Sequence, residues 1–213
     1  ILRTFPGDTD FCHKLFACFL STVMGMNLSL GILLAPYRVD YYSYLHDCYD
    51  TDIYFLQRTF DGQLYSTESV SSECTFTPKY LKYRTILSRK VPVGLKRLIE
   101  RAKPSFIIVP EFSLTAWMVI ILKFFHRYKF KIVSQCDDSF DMVQGRGYSR
   151  LHALSRRACV PFVDELIVPD RKAVEWYRNR YGKGLWCPII QDESKHQYLI
   201  DKHIQERVVE LKS

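Results

Sequence analysis

Three carboxylates stand within five residues at Asp137, Asp138 and Asp141, directly after the apolar stretch Lys131–Gln135. Carboxylates this close repel one another unless each ionises into water or finds a partner. One of them therefore either accepts a hydrogen bond from a sugar hydroxyl, or works as a base, or belongs to a solvated loop that caps a helix. Arg38 follows Pro36-Tyr37 and brings a planar guanidinium suited to a phosphate or carboxylate; a surface pair with Asp40 is the plainer alternative. Glu111 comes after Ser105–Val109 and Pro110, and faces the same crevice or opens a helix marked by Ser113 and Thr115. The six histidines are dispersed and no second carboxylate cluster lies near the aspartates, so a metal is not expected. GxGxxG, Walker and GxSxG motifs are missing, and Gly31 lies inside a predicted strand, so a dinucleotide cradle is not expected either.

The elements that must position these groups alternate along the chain. Short apolar strands are predicted at Leu28–Leu34, Thr51–Gln57, Ser105–Val109, Lys131–Gln135 and Glu165–Val168, with weaker ones at Cys74–Thr77 and Trp186–Ile190. Helical spacing covers Val39–Cys48, Val91–Lys103, Leu114–Arg127, Ser149–Val160, Arg171–Tyr181 and Lys195–Leu211. Near-continuous apolar strands separated by helices predict an α/β fold, a doubly wound and mostly parallel sheet of Rossmann-like type over residues 26–190. In such a sheet ligands sit outside the carboxyl ends of the strands. Arg38, Glu111 and Asp137–Ser139 all fall there.

The 213 residues are 47% hydrophobic and 25% charged, the profile of one globular domain, which excludes disordered and polytopic membrane classes. The net charge of +7 is uneven. Residues 79–103 carry nine bases against Glu100 alone, while residues 1–78 are net negative. Tyr80, Leu81, Tyr83, Ile86 and Leu87 interleave with those cations, and Lys123–Lys131 repeats the mixture with Phe124, Phe125, Tyr128 and Phe130. Cations among aromatics suit an anionic membrane surface. Stacked nucleic-acid bases are the alternative, disfavoured because no nucleic-acid motif accompanies the patches. The uncharged run at residues 15–36 is broken by Ser, Thr, Asn and Gly, so a membrane span is not expected, and residues 1–25 are read as an upstream extension outside the fold. Seven scattered cysteines without CxxC fit reduced thiols in a cytosolic protein.

Four segments occur in a fixed order: Ala35-Pro36-Tyr37-Arg38-Val39-Asp40-Tyr41-Tyr42, the strand with Pro110-Glu111-Phe112, Ser134-Gln135-Cys136-Asp137-Asp138-Ser139-Phe140-Asp141, and Pro188-Ile189-Ile190-Gln191-Asp192-Glu193. Together they resemble the N-terminal, acceptor-binding half of bacterial family-four glycosyltransferases of GT-B fold. The resemblance implies Asp137 and Asp138 as catalytic groups and Tyr37, Arg38, Glu111 and Ser139 as acceptor-binding groups. It implies transfer from a nucleotide-sugar, bound by a second domain, to a cell-surface glycan or lipid-linked acceptor, with retention and without an essential metal or other cofactor. Residues 191–213 would then lead into a donor domain absent from the chain, and the chain alone would be inactive. The expected setting is the cytoplasmic membrane face, peripheral, without nucleic acid. The first-strand loop departs from that family in having Pro-Tyr-Arg where many members have glycines. A non-catalytic Rossmann-like binding or regulatory domain is the alternative.

Overall fold

The computed structural model describes residues 26–59, 66–86, 89–145 and 149–188. Its strands are β1 (Asn27–Leu33), β2 (Thr51–Gln57), β3 (Lys79–Tyr80), β4 (Tyr83–Ile86), β5 (Arg89–Pro92), β6 (Phe106–Pro110), β7 (Lys131–Gln135), β8 (Glu165–Val168) and β9 (Leu185–Trp186). Its helices are α1 (Val39–Tyr49), α2 (Thr67–Ser72), α3 (Leu95–Ala102), α4 (Leu114–His126), α5 (Phe140–Val143), α6 (Arg150–Cys159) and α7 (Arg171–Tyr181). Among the described residues seven strands form one sheet in the order β3-β2-β1-β6-β7-β8-β9, every pairing parallel. This is the doubly wound, Rossmann-like sheet expected from the sequence.

Period-two alternation gives the sheet two buried faces. Leu28, Ile107, Ile132 and Leu166 point to one face, with Leu95, Leu98 and Ile99 of α3, Ala116, Val119 and Ile120 of α4, and Val174 and Tyr177 of α7. Phe55, Ile108, Val133 and Ile167 point to the other, with Val39, Tyr42 and Leu45 of α1. Each fully buried side chain of this size contributes about 1.5–3 kcal/mol relative to exposure. Gly31 sits where β1 passes the Phe55 ring: a Cβ there would lie 2.7 Å from two ring carbons and 3.1 Å from the Tyr42 hydroxyl. Gly31→Ala is therefore expected to cost about 1–3 kcal/mol by overpacking, read as a lowered midpoint in urea unfolding. An unchanged midpoint would contradict that packing.

The basic segment departs from the helix predicted over Val91–Lys103. Arg89–Pro92 pairs antiparallel with Tyr83–Ile86, and the helix begins only at Leu95, after Gly94 at φ +81°. The left-handed glycine breaks the chain direction between strand and helix. A strand at Lys79–Tyr80 replaces the one predicted at Cys74–Thr77, and α2, capped by Ser66, precedes it. The last strand among the described residues is Leu185–Trp186, and Ile189 and Ile190 of the strand predicted at Trp186–Ile190 lie outside them. The expectations for residues 1–25 and for the helix at Lys195–Leu211 lie outside the described residues. No helix among the described residues is long and apolar enough to cross a membrane.

Candidate functional site

The chain leaves β1 toward β2 on one side and returns to β6 on the other, so β1 and β6 flank the point where the strand order reverses. Crevices in open α/β sheets form there, outside the carboxyl ends of the strands. Three strand-end loops, after β1, β6 and β7, meet at this place.

After β1 the chain makes one 3₁₀ turn, Pro36–Arg38, with the Arg38 N–H donating to the Ala35 carbonyl at 2.9 Å. The turn sends the Arg38 guanidinium over the rings of Tyr37 and Tyr41, 5.6 and 5.7 Å from their centroids, and onto the Asp137 carboxylate. Arg38 is 12% exposed and Asp137 46%. Burial works against the Arg38 charge, but the hydrogen bond and attraction from Asp137 outweigh it and raise its pKa. Tyr37 itself is about half exposed.

Glu111 follows β6 with φ at +44°, a left-handed backbone that non-glycine residues adopt at a cost. The strand ends hold it there: its N–H donates to the Gln135 carbonyl at 2.7 Å, and the Ser134 hydroxyl donates to its carbonyl at 2.8 Å. Burial, then the nearby Asp137 charge, pushes the Glu111 carboxyl above its ordinary pKa, partly countered by His152 and by the Asp137 backbone N–H. A carboxyl so placed holds a proton more readily than a surface glutamate does.

Asp138 points away from this opening and is 1% exposed. Arg156 Nη1 donates to it at 2.8 Å and the Tyr177 hydroxyl at 2.5 Å, while His152 Nε2 lies 3.3 Å away. Burial first, with Cys136 and Asp138 adding, pushes the Tyr177 hydroxyl far up, so it stays a proton donor. A buried carboxylate surrounded by donors is neutralised where it stands. Asp138 thereby locks α6 and α7 beneath the loop that carries Asp137. Ser139 caps α5, its hydroxyl accepting from the Met142 N–H at 3.4 Å. The Asp170 carboxylate accepts from the Phe140, Lys172 and Ala173 N–H groups, so one side chain secures the starts of α5 and α7.

The structure thus brings Tyr37, Arg38, Glu111 and Asp137 to one rim, with Asp138 buried below it and Ser139 committed to a helix start. His152, Arg156 and Tyr177 were not legible as site residues. His152 and Arg156 lie one turn apart on α6, the spacing at which two side chains share a helix face; Tyr177 has no local signal at all. Among the described residues no group of three or more His, Cys, Asp or Glu is placed to hold a metal ion.

No family model matches the chain, and no curated protein matches it. Among solved structures it is similar to the crystal structure of a UDP-N-acetylglucosamine 2-epimerase, with a TM-score of 0.51 at 14% sequence identity. The fold is a Rossmann-like unit of GT-B type. The likeness covers 76% of this chain and 48% of the epimerase, so the chain spans about half the length of that structure. At this identity it carries the fold and nothing about chemistry.

Proposed function

We propose that this GT-B-type unit is the acceptor-binding half of a glycosyltransferase, which moves a sugar from a nucleotide-sugar to a cell-surface glycan or lipid-linked acceptor. The observation that carries this reading is the convergence of Arg38, Asp137 and Glu111 at the strand-order reversal. Asp137 gives one oxygen to Arg38 and remains open enough to accept a hydrogen bond from a ligand hydroxyl. Its charge, fixed beside the opening, favours positive charge developing on a sugar ring. Glu111, whose carboxyl burial pushes above its ordinary pKa, stands at the same opening within reach of a ligand hydroxyl. In this reading the nucleotide-sugar is gripped by a second unit outside the described residues, and the gain comes from holding both reactants in one cleft.

The proposal includes a peripheral place on the cytoplasmic face of an anionic membrane. What supports it is the exposure of the apolar side chains Ile86, Ile121, Phe124, Phe125, Leu151 and Leu154. The elements that carry them, β4, α4 and α6, contain no Asp or Glu. Exposed apolar side chains on elements that carry Lys or Arg and no acid match the interface of an anionic bilayer.

The test uses the gene product with both units, a panel of nucleotide-sugars and a membrane-lipid extract from the source cell. Release of nucleoside diphosphate that requires the extract is expected with one donor, and no release with any donor overturns the reading. Sedimentation of the chain with phosphatidylglycerol vesicles tests the membrane part. Binding is expected at low salt and loss near 1 M, where the screening length falls to about 3 Å. Phe124→Ser with Phe125→Ser should weaken it, and binding indifferent to both salt and variant removes the membrane from the proposal.

A further inference from the structure

On the flank of the Asp138 cluster, α6 and α7 bound a groove of about 570 Å³. Its lining includes three arginines, Arg156 and Arg157 from α6 and Arg180 from α7, together with Trp176. Arg156 is buried and its chain neighbour Arg157 exposed, and both line the groove with residues 176 and 180, one turn apart on α7. Among the described residues no carboxylate lines the groove. Arg156 is neutralised by Asp138, whereas among the described residues Arg157 and Arg180 form no ion pair. Two uncompensated positive charges therefore face one space of a size that holds a small ligand.

We propose that this groove binds a phosphoryl dianion, such as the phosphate or pyrophosphate of a phosphorylated glycan. The two uncompensated guanidiniums repel one another, and a doubly charged anion between them turns that repulsion into attraction. The forks are also pre-set. Arg156 and Arg180 lie 5.3 and 5.5 Å from the Trp176 ring centroid, and Arg180 lies 5.9 Å from that of Tyr181. Guanidiniums held on aromatic rings lose little freedom when they close on an oxyanion. A single carboxylate would leave one of the two free charges unmatched, so a dianion fits better than a uronic acid. The position links the groove to the rim: Arg156 bonds Asp138, the chain neighbour of Asp137. That the anion belongs to the acceptor rests on the transferase reading; the anion site itself does not.

Calorimetric titration of the chain with inorganic pyrophosphate tests the site, with sodium glucuronate and neutral glucose as the other arms. Arg157 and Arg180 are both exposed, so Arg157→Gln with Arg180→Gln leaves the core alone, and an unchanged melting temperature verifies this. Pyrophosphate is expected to bind the wild-type chain at least about tenfold tighter than glucuronate, and to lose about tenfold or more in the double variant. The single reversal Arg157→Glu should weaken it in the same direction. No binding of pyrophosphate, equal binding of glucuronate, or pyrophosphate binding unchanged in these variants overturns the proposal. Failure of the transferase reading is seen separately, as absent nucleotide-sugar turnover while pyrophosphate still binds the groove.

Discussion

Asp138→Ala is expected to lower the melting temperature of the chain by about 10 °C. The Asp138 carboxylate and the Arg156 guanidinium are 1% and 6% exposed, and Tyr177 donates to the same carboxylate. Removing one partner of a buried pair leaves the other charge without compensation, at a cost of about 3–5 kcal/mol. In a chain of this size each kcal/mol moves the midpoint by about 2–4 °C. Asp138→Asn preserves shape and an acceptor for Tyr177 but still strands Arg156, so a loss of the same order is expected. Asp141→Ala is the control from the same acidic run, with an expected effect within about 0.5 kcal/mol. Circular-dichroism melts of the three variants decide the matter; if Asp138→Ala melted with Asp141→Ala, the buried cluster would not be holding α6 and α7 in place.

Asp137→Asn should do the reverse, sparing the fold and removing turnover. Asp137 is half open to water while Arg38 is 12% exposed, so the cost is expected to lie between the about 1 kcal/mol of exposed pairs and the about 3–5 kcal/mol of buried ones, below that of Asp138→Ala. The carboxylate is nonetheless the charge at the opening. Loss of a group that acts on a proton or a developing charge in the transition state costs about 10²- to 10⁴-fold in rate. The measurement is nucleotide-sugar turnover by the gene product with both units, set beside its melting curve. Retained turnover in a well-folded Asp137→Asn variant removes the role proposed for this residue. Adjacent aspartates would then be told apart by two instruments, one failing in the melt and the other in the assay.

The difference between these neighbours shows where sequence stops being sufficient. Lys131–Gln135 announced itself as a strand because its apolar residues carry the signal, and strand ends in a doubly wound sheet locate the crevice. Arg38, Glu111 and Asp137 could be placed on one rim by that rule alone. The direction of each side chain could not, because it depends on partners far along the chain: Arg156 is 18 residues from Asp138 and Tyr177 is 39. The basic segment before α3 was misread for a related reason. Its cations are compatible with helix or strand, and the decision falls to Gly94, whose left-handed backbone shows only in three dimensions. Strand Lys79–Tyr80 extends the sheet edge by pairing with Tyr54 and Phe55, a contact no local pattern encodes.

The Asp170 carboxylate has a mechanical consequence. It grips the Phe140 N–H, at the foot of the Asp137 loop, and the first turn of α7, which leads directly to β9. A ligand that tugs on Asp137 therefore strains a tether to the far edge of the sheet, and displacement of that edge would be felt at the rim. One carboxylate thus ties the foot of the Asp137 loop to the start of the helix that runs on to β9.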